Sequence, residues 1–248
     1  MEQRRVVVSG GGTGIGLATA EAFAADGDQV VIIGRRAEVL AEAAAKLNSA
    51  HGADLVTPVT ADLSDPRQAQ AAVEAIALRG PVDVIVTNAG GNVAWGHDGT
   101  LTGIADSYRR NFEANVLTAV LLTEGLLPYL RRPGGRIVHL SSIAALRGPG
   151  SYGGSKAAVN AYTFDLAARL GAEGITVNAV APGFVADTEF FGDRATPEFV
   201  RSRVGQTLTG QPGTPPEIAA AIKYLASPEA AYITGQLLHI NGGAMLGR

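Results

Sequence analysis

Residues 9–16 read Ser-Gly-Gly-Gly-Thr-Gly-Ile-Gly and lie between an apolar run, Val6 to Val8, and an Ala-rich stretch that continues to about Ala25. An apolar run followed by a helical stretch predicts a strand that turns sharply into a helix. Glycines there let the backbone approach a pyrophosphate, whose charge the helix N-terminus attracts. A Gly-rich loop alone is often an ordinary turn, but strand before and helix after favour a dinucleotide site. The expected cofactor contacts in this turn are Ser9, Gly10, Gly12, Thr13, Gly14, Ile15 and Gly16.

Short β-rich apolar runs alternate with Ala-rich helical stretches along the whole chain. The predicted strands are Arg5 to Val8, Gln29 to Ile33, Leu55 to Ala61, Val82 to Thr87, Arg136 to Leu140, Thr176 to Ala181 and Gln236 to Ile240. Repeated βαβ units with nearly continuous apolar strands indicate a parallel sheet covered by helices on both faces. The fold class is therefore α/β, a single-domain Rossmann fold over residues 1–248 with a doubly wound seven-stranded parallel sheet.

Two segments, at about 90–103 and 183–216, interrupt the alternation of strands and helices. Long connections after strands usually carry binding loops, because ligands lie beyond the carboxyl ends of the strands. The apolar residues in and beside these segments predict a substrate pocket for a hydrophobic ketone or secondary alcohol. Its expected lining is Trp95, Leu146, Phe184, Phe190 and Phe191; packing of the loop itself is the alternative for each.

Composition excludes several functional classes. A net charge of −3 over 248 residues gives no footprint for nucleic acid. The chain lacks cysteine and its four histidines are scattered, so no metal site is expected. The apolar run after Arg4 and Arg5 is too short for a signal peptide or a membrane span, which leads us to expect a cytoplasmic protein without a membrane partner.

The second predicted strand ends in Gly34-Arg35-Arg36, where an NAD-binding chain usually has a carboxylate for the ribose hydroxyls. A guanidinium group instead pairs with phosphate through a charged fork. Arg35 and Arg36 therefore favour NADP(H) as the cofactor, with NAD(H) as the alternative. A solvated arginine pair that only caps the strand, with no role in cofactor binding, is the other possibility.

Tyr152 and Lys156 open a predicted helix, and a spacing of four residues places them on one face. Reduction of a carbonyl leaves an alkoxide that needs a proton, and an adjacent ammonium lowers the pKa of a tyrosine enough for proton exchange. Ser141 and Ser142 follow a predicted strand at the same edge of the sheet, where a hydroxyl can donate to the substrate oxygen. Asn115 lies in an apolar predicted helix, 106–130, where a bare amide is costly, which indicates a bonded role.

With these residues identified, the chain resembles the classical short-chain dehydrogenase/reductase family over essentially its whole length, including members similar to 3-oxoacyl carrier-protein reductases. The resemblance implies a catalytic tetrad of Asn115, Ser142, Tyr152 and Lys156, with Tyr152 as acid and base, Ser142 binding the carbonyl, and Asn115 holding a water that connects Lys156 to solvent. It also implies cofactor contacts at Asp62, Leu63, Asn88, Ala89, Gly90, Tyr152, Lys156, Pro182, Gly183, Val185 and Thr188.

The sequence departs from the family pattern in places. Thr87 replaces a usual Asn, a change that is expected to leave its turn intact. The interval from Ser142 to Tyr152 is shorter than is common in the family, so the loop 143–151 is expected to shape the pocket differently. Asn241 replaces a frequent Asp near the end of the chain. Carrier-protein reductases use basic residues near the active-site mouth, for which Arg131 and Arg132 are candidates. Glu173 stands where those reductases often have Arg, which favours a free small-molecule substrate over a carrier protein.

We therefore expect an NADP(H)-dependent oxidoreductase that interconverts a carbonyl and a secondary alcohol. One alternative is a catalytically silent dinucleotide-binding sensor or scaffold; others are an NAD-dependent alcohol dehydrogenase, or a dehydratase or epimerase on the same fold. The helix of Asn115 is apolar nearly all round and the helix of Tyr152 is rich in small residues, which predicts a homo-oligomer, a tetramer as in the family. Burial of both helices within a monomer is the alternative.

Overall fold

The computed structural model describes residues 3–52, 54–148 and 150–246, which form one seven-stranded parallel sheet with helices on both faces. The strands are β1 (Arg5–Ser9), β2 (Gln29–Gly34), β3 (Val56–Thr60), β4 (Val84–Thr87), β5 (Arg136–Leu140), β6 (Thr176–Pro182) and β7 (Leu237–Ile240). The helices are α1 (Gly14–Ala24), α2 (Ala37–His51), α3 (Pro66–Ala77), α4 (Leu101–Phe112), α5 (Thr118–Leu126), α6 (Ala144–Arg147), α7 (Gly150–Leu170), α8 (Pro197–Val204) and α9 (Pro215–Leu225). The predicted fold class is confirmed.

The sheet order is β3-β2-β1-β4-β5-β6-β7, so the chain starts in the middle, moves to one edge, and returns to place β4 beside β1. Val6 to Ser9 of β1 pair in register with β4 on one side and with β2 on the other. Reversal of the strand order opens a crevice beyond the carboxyl ends of β1 and β4. The turn at residues 9–16 therefore lies at the floor of that crevice.

Alternate residues of the central strands pack into two separate cores. Val6 and Val8 pack on one face with α1, α2 and α9, whereas Val7 packs on the other face with α3, α5 and α7. These strand residues are fully buried, as a sheet covered on both faces requires. The two cores fix the strand ends, and with them the loops that build the crevice.

The two edge strands differ from the predicted pattern. In β3 only Val56 is buried, whereas Pro58 and Thr60 are exposed, and β7 has no fully buried residue. Helices cover the centre of the sheet more completely than its edges, which is why burial on both faces holds only for the central strands. Strand ends otherwise shift by a residue or two; Val82, for example, makes only an isolated bridge to Leu130.

The predicted helix 106–130 is wrong at its start and in its middle. Thr100 caps α4 by accepting a hydrogen bond from the Gly103 amide at 3.0 Å, so the helix begins at Leu101 and the preceding loop ends earlier than residue 103. A π-helical turn, Glu113–Leu117, then separates α4 from α5, and a 3₁₀ turn, Leu127–Tyr129, follows α5. Such π turns are frequent at functional sites.

The segment 183–216 is not a bare loop either. Thr196 accepts a hydrogen bond from the Phe199 amide and Pro197 follows in the first turn, which together start α8. The segment 143–151 also contains α6 and the start of α7, while Pro149 lies outside the described residues. No helix in the described part of the chain is long and apolar enough to cross a membrane.

Candidate active site

The turn between β1 and α1 packs its backbone more tightly than any side chain would allow. A Cβ on Gly16 would lie 2.1 Å from the Gly10 carbonyl oxygen and 2.5 Å from Nδ2 of Asn88. Gly10 and Gly14 have positive φ angles of 65° and 52°, which favour glycine. The Gly10 amide donates to the Ile33 carbonyl at 2.7 Å, which ties the turn to β2. Glycine is therefore a steric requirement at these positions.

The N-terminus of α1 is free to meet an anion. Thr13 precedes the helix in an extended conformation without a side-chain capping bond, and no acidic residue stands in the first turn. The first N–H groups of a helix need a partner, which a phosphate supplies well. These features of residues 13–24 fit the pyrophosphate of a dinucleotide.

Side chains after β4 fasten the turn from the other side of the crevice. Asn88 donates through Nδ2 to the carbonyls of Ser9 and Gly10, at 3.1 and 3.2 Å, and the Ala89 amide donates to Oγ of Ser9 at 2.9 Å. Ser9 and Gly16 lie behind the crevice wall, whereas the other predicted cofactor residues line a crevice of about 1280 Å³. Ser9 therefore braces the turn rather than facing the crevice.

The two arginines after β2 have different partners. Arg36 pairs with Glu189, on the segment after β6, at 2.7 Å, and both side chains are more than half exposed. Hydrogen bonds from Ser64 lower the pKa of Asp62, and the charge of Arg35 contributes to the same lowering. Sequence reasoning missed Glu189, because a single acidic residue in a loop 153 positions away carries no local signal.

The four predicted tetrad residues come from three parts of the chain that meet at or behind the crevice wall. Ser142 follows β5, Tyr152 and Lys156 lie on the first turns of α7, and Asn115 lies in the π-helical turn. The Ser142 side chain acts on the Tyr152 phenol and favours a lower pKa for it, and Oγ of Ser142 accepts from the Ala144 amide at 3.1 Å. The neighbouring Ser141 donates instead to Oδ1 of Asn160, a buried structural contact. Ser142 is therefore the serine paired with the phenol.

The lysine is directed at the backbone. Nζ of Lys156 donates to the Leu140 carbonyl at 2.8 Å and lies 5.9 Å from the centre of the Tyr152 ring. Burial lowers the pKa of Lys156 to about 8 and raises the pKa of Tyr152 to about 12, while the Ser142 hydrogen bond acts on Tyr152 in the opposite direction. The expected lowering of the Tyr152 pKa by Lys156 is therefore not observed, because burial raises this pKa.

Asn115 uses its amide completely, as its apolar surroundings require. Nδ2 donates to the Gly91 and Asn111 carbonyls, both at 2.8 Å, and Oδ1 accepts from the Gly91 amide at 3.0 Å. A Cβ on Gly90 would lie 2.6 Å from this Oδ1. Asn115 is 1% exposed and lies behind the crevice wall, where it anchors the loop that follows β4.

An aromatic wall faces Tyr152 across the crevice. The Phe190 ring lies 5.5 Å from that of Tyr152 and 5.6 Å from that of Trp95, centre to centre. Phe191 and Phe184 continue the contact, and Phe199 of α8 closes it, which the sequence-based lining did not include. Four of the five predicted pocket residues line the crevice.

Leu146 is the exception, and its assignment to the pocket is wrong. It is 40% exposed and lies outside the crevice lining. Because α6 is helical, Ile143 and Arg147 share the face toward the crevice, while Leu146 points to another side.

The basic residues proposed for the active-site mouth lie at the wrong end of the sheet. Arg131 pairs with Asp83, directly before β4, and Arg132 pairs with Glu173. Both arginines precede β5, whereas Ser142 follows it, so the sheet separates them from the crevice. Arg131 and Arg132 are close to β5 in sequence, but they lie at its amino end, whereas the active-site mouth lies at its carboxyl end.

Comparison with known proteins agrees with this geometry. Residues 10–245 match a family model described as enoyl-(acyl carrier protein) reductase. The chain is 38% identical to a galactitol 2-dehydrogenase (L-tagatose-forming) of Cereibacter sphaeroides, over 95% of this chain and 92% of the relative. It is 34% identical to a 3-oxoacyl-(acyl-carrier-protein) reductase of Escherichia coli, over 98% and 97%.

A solved structure of L-sorbose reductase from Gluconobacter frateurii, complexed with NADPH and L-sorbose, superposes with a TM-score of 0.89 at 28% identity and covers 100% of this chain and 98% of that one. By these relationships the chain belongs to the short-chain dehydrogenase/reductase family of oxidoreductases.

Proposed function

We propose that this chain is an NADP(H)-dependent oxidoreductase that interconverts a ketone or 3-oxoacyl group and a secondary alcohol, with Tyr152 as the acid and base. The observation that carries this proposal is the joint placement of Ser142, Tyr152 and Lys156 on a crevice whose floor is a glycine turn and an uncapped helix N-terminus. A scaffold or sensor has no need for a partly buried phenol held at that place.

The residues divide the chemistry among them. A bound nicotinamide would supply or accept the hydride. Oγ–H of Ser142 donates to the substrate oxygen, and the Tyr152 hydroxyl transfers its proton to that oxygen during reduction. A tyrosine whose pKa is raised to about 12 stays protonated at neutral pH, as an acid in the reductive direction must. The ammonium of Lys156 stabilises the phenolate that remains, because opposite charges favour each other in a buried site.

The preference for NADP(H) rests on charge at the end of β2. Arg35 and Arg36 line the crevice beside Asp62, and the side chain that would accept ribose hydroxyls is absent at Gly34. The NADPH complex of the related L-sorbose reductase supports a phosphorylated cofactor. Glu189 opposes the preference for NADP(H), because its carboxylate already forms an ion pair with Arg36. NAD(H) is therefore the alternative cofactor.

The aromatic wall favours an apolar group beside the reacting carbonyl. The ring centres of Trp95, Phe190 and Phe191 lie 4.7 to 5.8 Å from one another. The Phe190 ring also packs against that of Tyr152. The names of the relatives span a polyol dehydrogenase and an acyl reductase, which supports a carbonyl or secondary alcohol in general. We favour a small-molecule substrate over a carrier protein, because Arg131 and Arg132 are paired away from the crevice.

The outer face of α4 and α7 supports self-association. Tyr108 and Phe112 on α4 and Phe164 on α7 are 52%, 45% and 47% exposed, and these helices pack side by side. Exposed aromatics grouped on one face favour a subunit interface. We expect a homo-oligomer through this face, a tetramer in the form that the family adopts.

A substrate panel tests the proposed function. Purified protein is assayed with NADPH and NADH against apolar ketones, sugars and acyl thioesters, and cofactor binding is measured separately. We expect NADPH oxidation with an apolar ketone at higher kcat/KM than with NADH. Tight cofactor binding with no turnover across the panel would instead support a sensor, and a preference for NADH would refute the phosphate assignment.

A further inference from the structure

Asn111 is a buried polar residue outside the predicted tetrad. It lies in the last turn of α4 and is 0% exposed. Its Oδ1 accepts a hydrogen bond from the Val93 amide at 3.1 Å, and its Nδ2 donates to Oδ1 of Asn92 at 3.2 Å and to Oγ of Ser151 at 2.8 Å. Both N–H donors and one of the two acceptor positions of the amide are therefore occupied.

These bonds connect two parts of the active site. Asn92 and Val93 precede Trp95 in the loop after β4, whereas Ser151 immediately precedes Tyr152 in α7. Oγ of Ser151 also pairs with Oγ of Ser107 at 2.8 Å, so the contact is anchored to α4 at a second point. Asn111 thus connects the wall that carries Trp95 to the helix that carries the proposed acid.

Asn111 and Asn115 divide the loop between them. Asn115 binds the backbone of Gly91, and Asn111, one helical turn earlier, binds that of Val93. The Asn115 side chain is also joined to the backbone of Asn111, since its Nδ2 donates to the Asn111 main-chain carbonyl at 2.8 Å. Bonds farther along the loop are local, as between His97 and Gly99 or Asp98 and Thr100. Arg110 also donates to the Val93 carbonyl at 3.0 Å, but from an exposed position, so Asn111 is the buried α4 side chain that holds the backbone before Trp95.

We propose that Asn111 is a positioning residue that sets the distance between the Trp95 wall and Tyr152, and through it the selectivity for substrate. This inference rests on the proposed function, because it places the substrate between those two groups. Buried hydrogen bonds of this kind cost much when one partner is removed, so the loop should rearrange rather than leave two groups unpaired. The cofactor turn lies on the other side of the crevice and should not respond.

Trp95 is the only tryptophan of the chain and reports directly on the loop. Asn111→Ala should shift the Trp95 emission to longer wavelength and lower its anisotropy. We expect KM for an apolar ketone to rise about tenfold, with a much smaller change in kcat and an unchanged dissociation constant for NADPH. Asn48→Ala is the matched control, because the Asn48 side chain also makes two part-buried hydrogen bonds. Both bonds join it to the backbone of Val56 in the edge strand β3. It should lower the melting temperature and leave emission and KM unchanged.

Ser151→Ala removes the bonds of Asn111 and Ser107 to α7 but leaves the bonds of Asn111 to the loop, and it serves if Asn111→Ala fails to fold. Its expected result is the same direction of change in KM and emission, with a smaller size. Unchanged Trp95 emission in the folded Asn111 variant, or in Ser151→Ala if the former does not fold, would overturn the inference. An equal change in the Asn48 variant would do so too. The fluorescence needs no turnover, so an inactive protein with shifted emission would refute the proposed function but not the positioning role.

Discussion

The turn between β1 and α1 and the wall around Trp95 face one another across a single crevice, yet they are held by different interactions. At the turn, backbone meets backbone, and Gly16 approaches Gly10 closer than any Cβ permits. At the wall, side chains do the holding, with Asn111 and Asn115 binding the loop and Phe190 packing on Trp95.

This difference teaches where the site can vary. A turn whose backbone segments lie this close tolerates no added side chain, even though Asn88 and Ser9 brace it from behind. A wall fixed by side chains changes with each of them. We therefore expect substitutions at the turn to affect cofactor binding steeply, and those at the wall to retune substrate selectivity by smaller steps.

The largest effect on binding is expected at Gly16. In Gly16→Ala the new methyl group would overlap the Gly10 carbonyl, so α1 must move away from the turn. A displacement that costs ~3 kcal/mol corresponds to a loss of cofactor affinity of about 100-fold, which isothermal calorimetry with NADPH would measure.

Gly171→Ala is the control for this substitution, because a Cβ there meets no described atom within 4 Å. It should leave NADPH affinity and the melting temperature nearly unchanged. If the Gly16 variant binds NADPH as well as the unchanged protein does, the turn is not fixed by its backbone and the contrast between the two regions fails.

The smallest effect is expected at Glu189, which directly precedes Phe190 of the wall and pairs with Arg36 after β2. Glu189→Gln frees Arg36 and removes a negative charge from the crevice, so NADPH should bind more tightly while NADH binding stays the same. Both side chains of the ion pair are more than half exposed, which limits the gain to ~1 kcal/mol or about fivefold. Calorimetric titration with each cofactor measures it.

Glu198→Gln, which removes a charge from an exposed acid of α8, is the control and should change neither affinity. Equal weakening of NADPH and NADH in the Glu189 variant would contradict the expectation. That result would mean that the ion pair closes the segment over either cofactor instead of competing with a phosphate.

Sequence reasoning reached most of the fold and the core of the site because their signals are local. The strand-turn-helix at residues 9–16 and the four-residue interval from Tyr152 to Lys156 are each contained in one short stretch. The rule that strand ends share an edge placed both Ser141 and Ser142 at the crevice, and the family resemblance then selected Ser142.

What escaped prediction depends on contacts between distant parts of the chain. The Arg36–Glu189 pair and the bonds of Asn111 join loops that have no common pattern. The side on which Leu146 points depended on a four-residue helix, α6, too short to show a periodicity. The π turn around Asn115 likewise follows from side-chain bonds to Gly91, not from helix propensity.

The most direct test of the account compares Tyr152→Phe with the unchanged protein in the reduction of a ketone by NADPH. The substitution removes the proton donor and leaves the ring, the turn and the aromatic wall in place. We predict that kcat falls by a factor of about 10² to 10⁴, while the dissociation constant for NADPH changes by less than about threefold. Turnover within tenfold of the unchanged protein would contradict the central claim that Tyr152 supplies the proton.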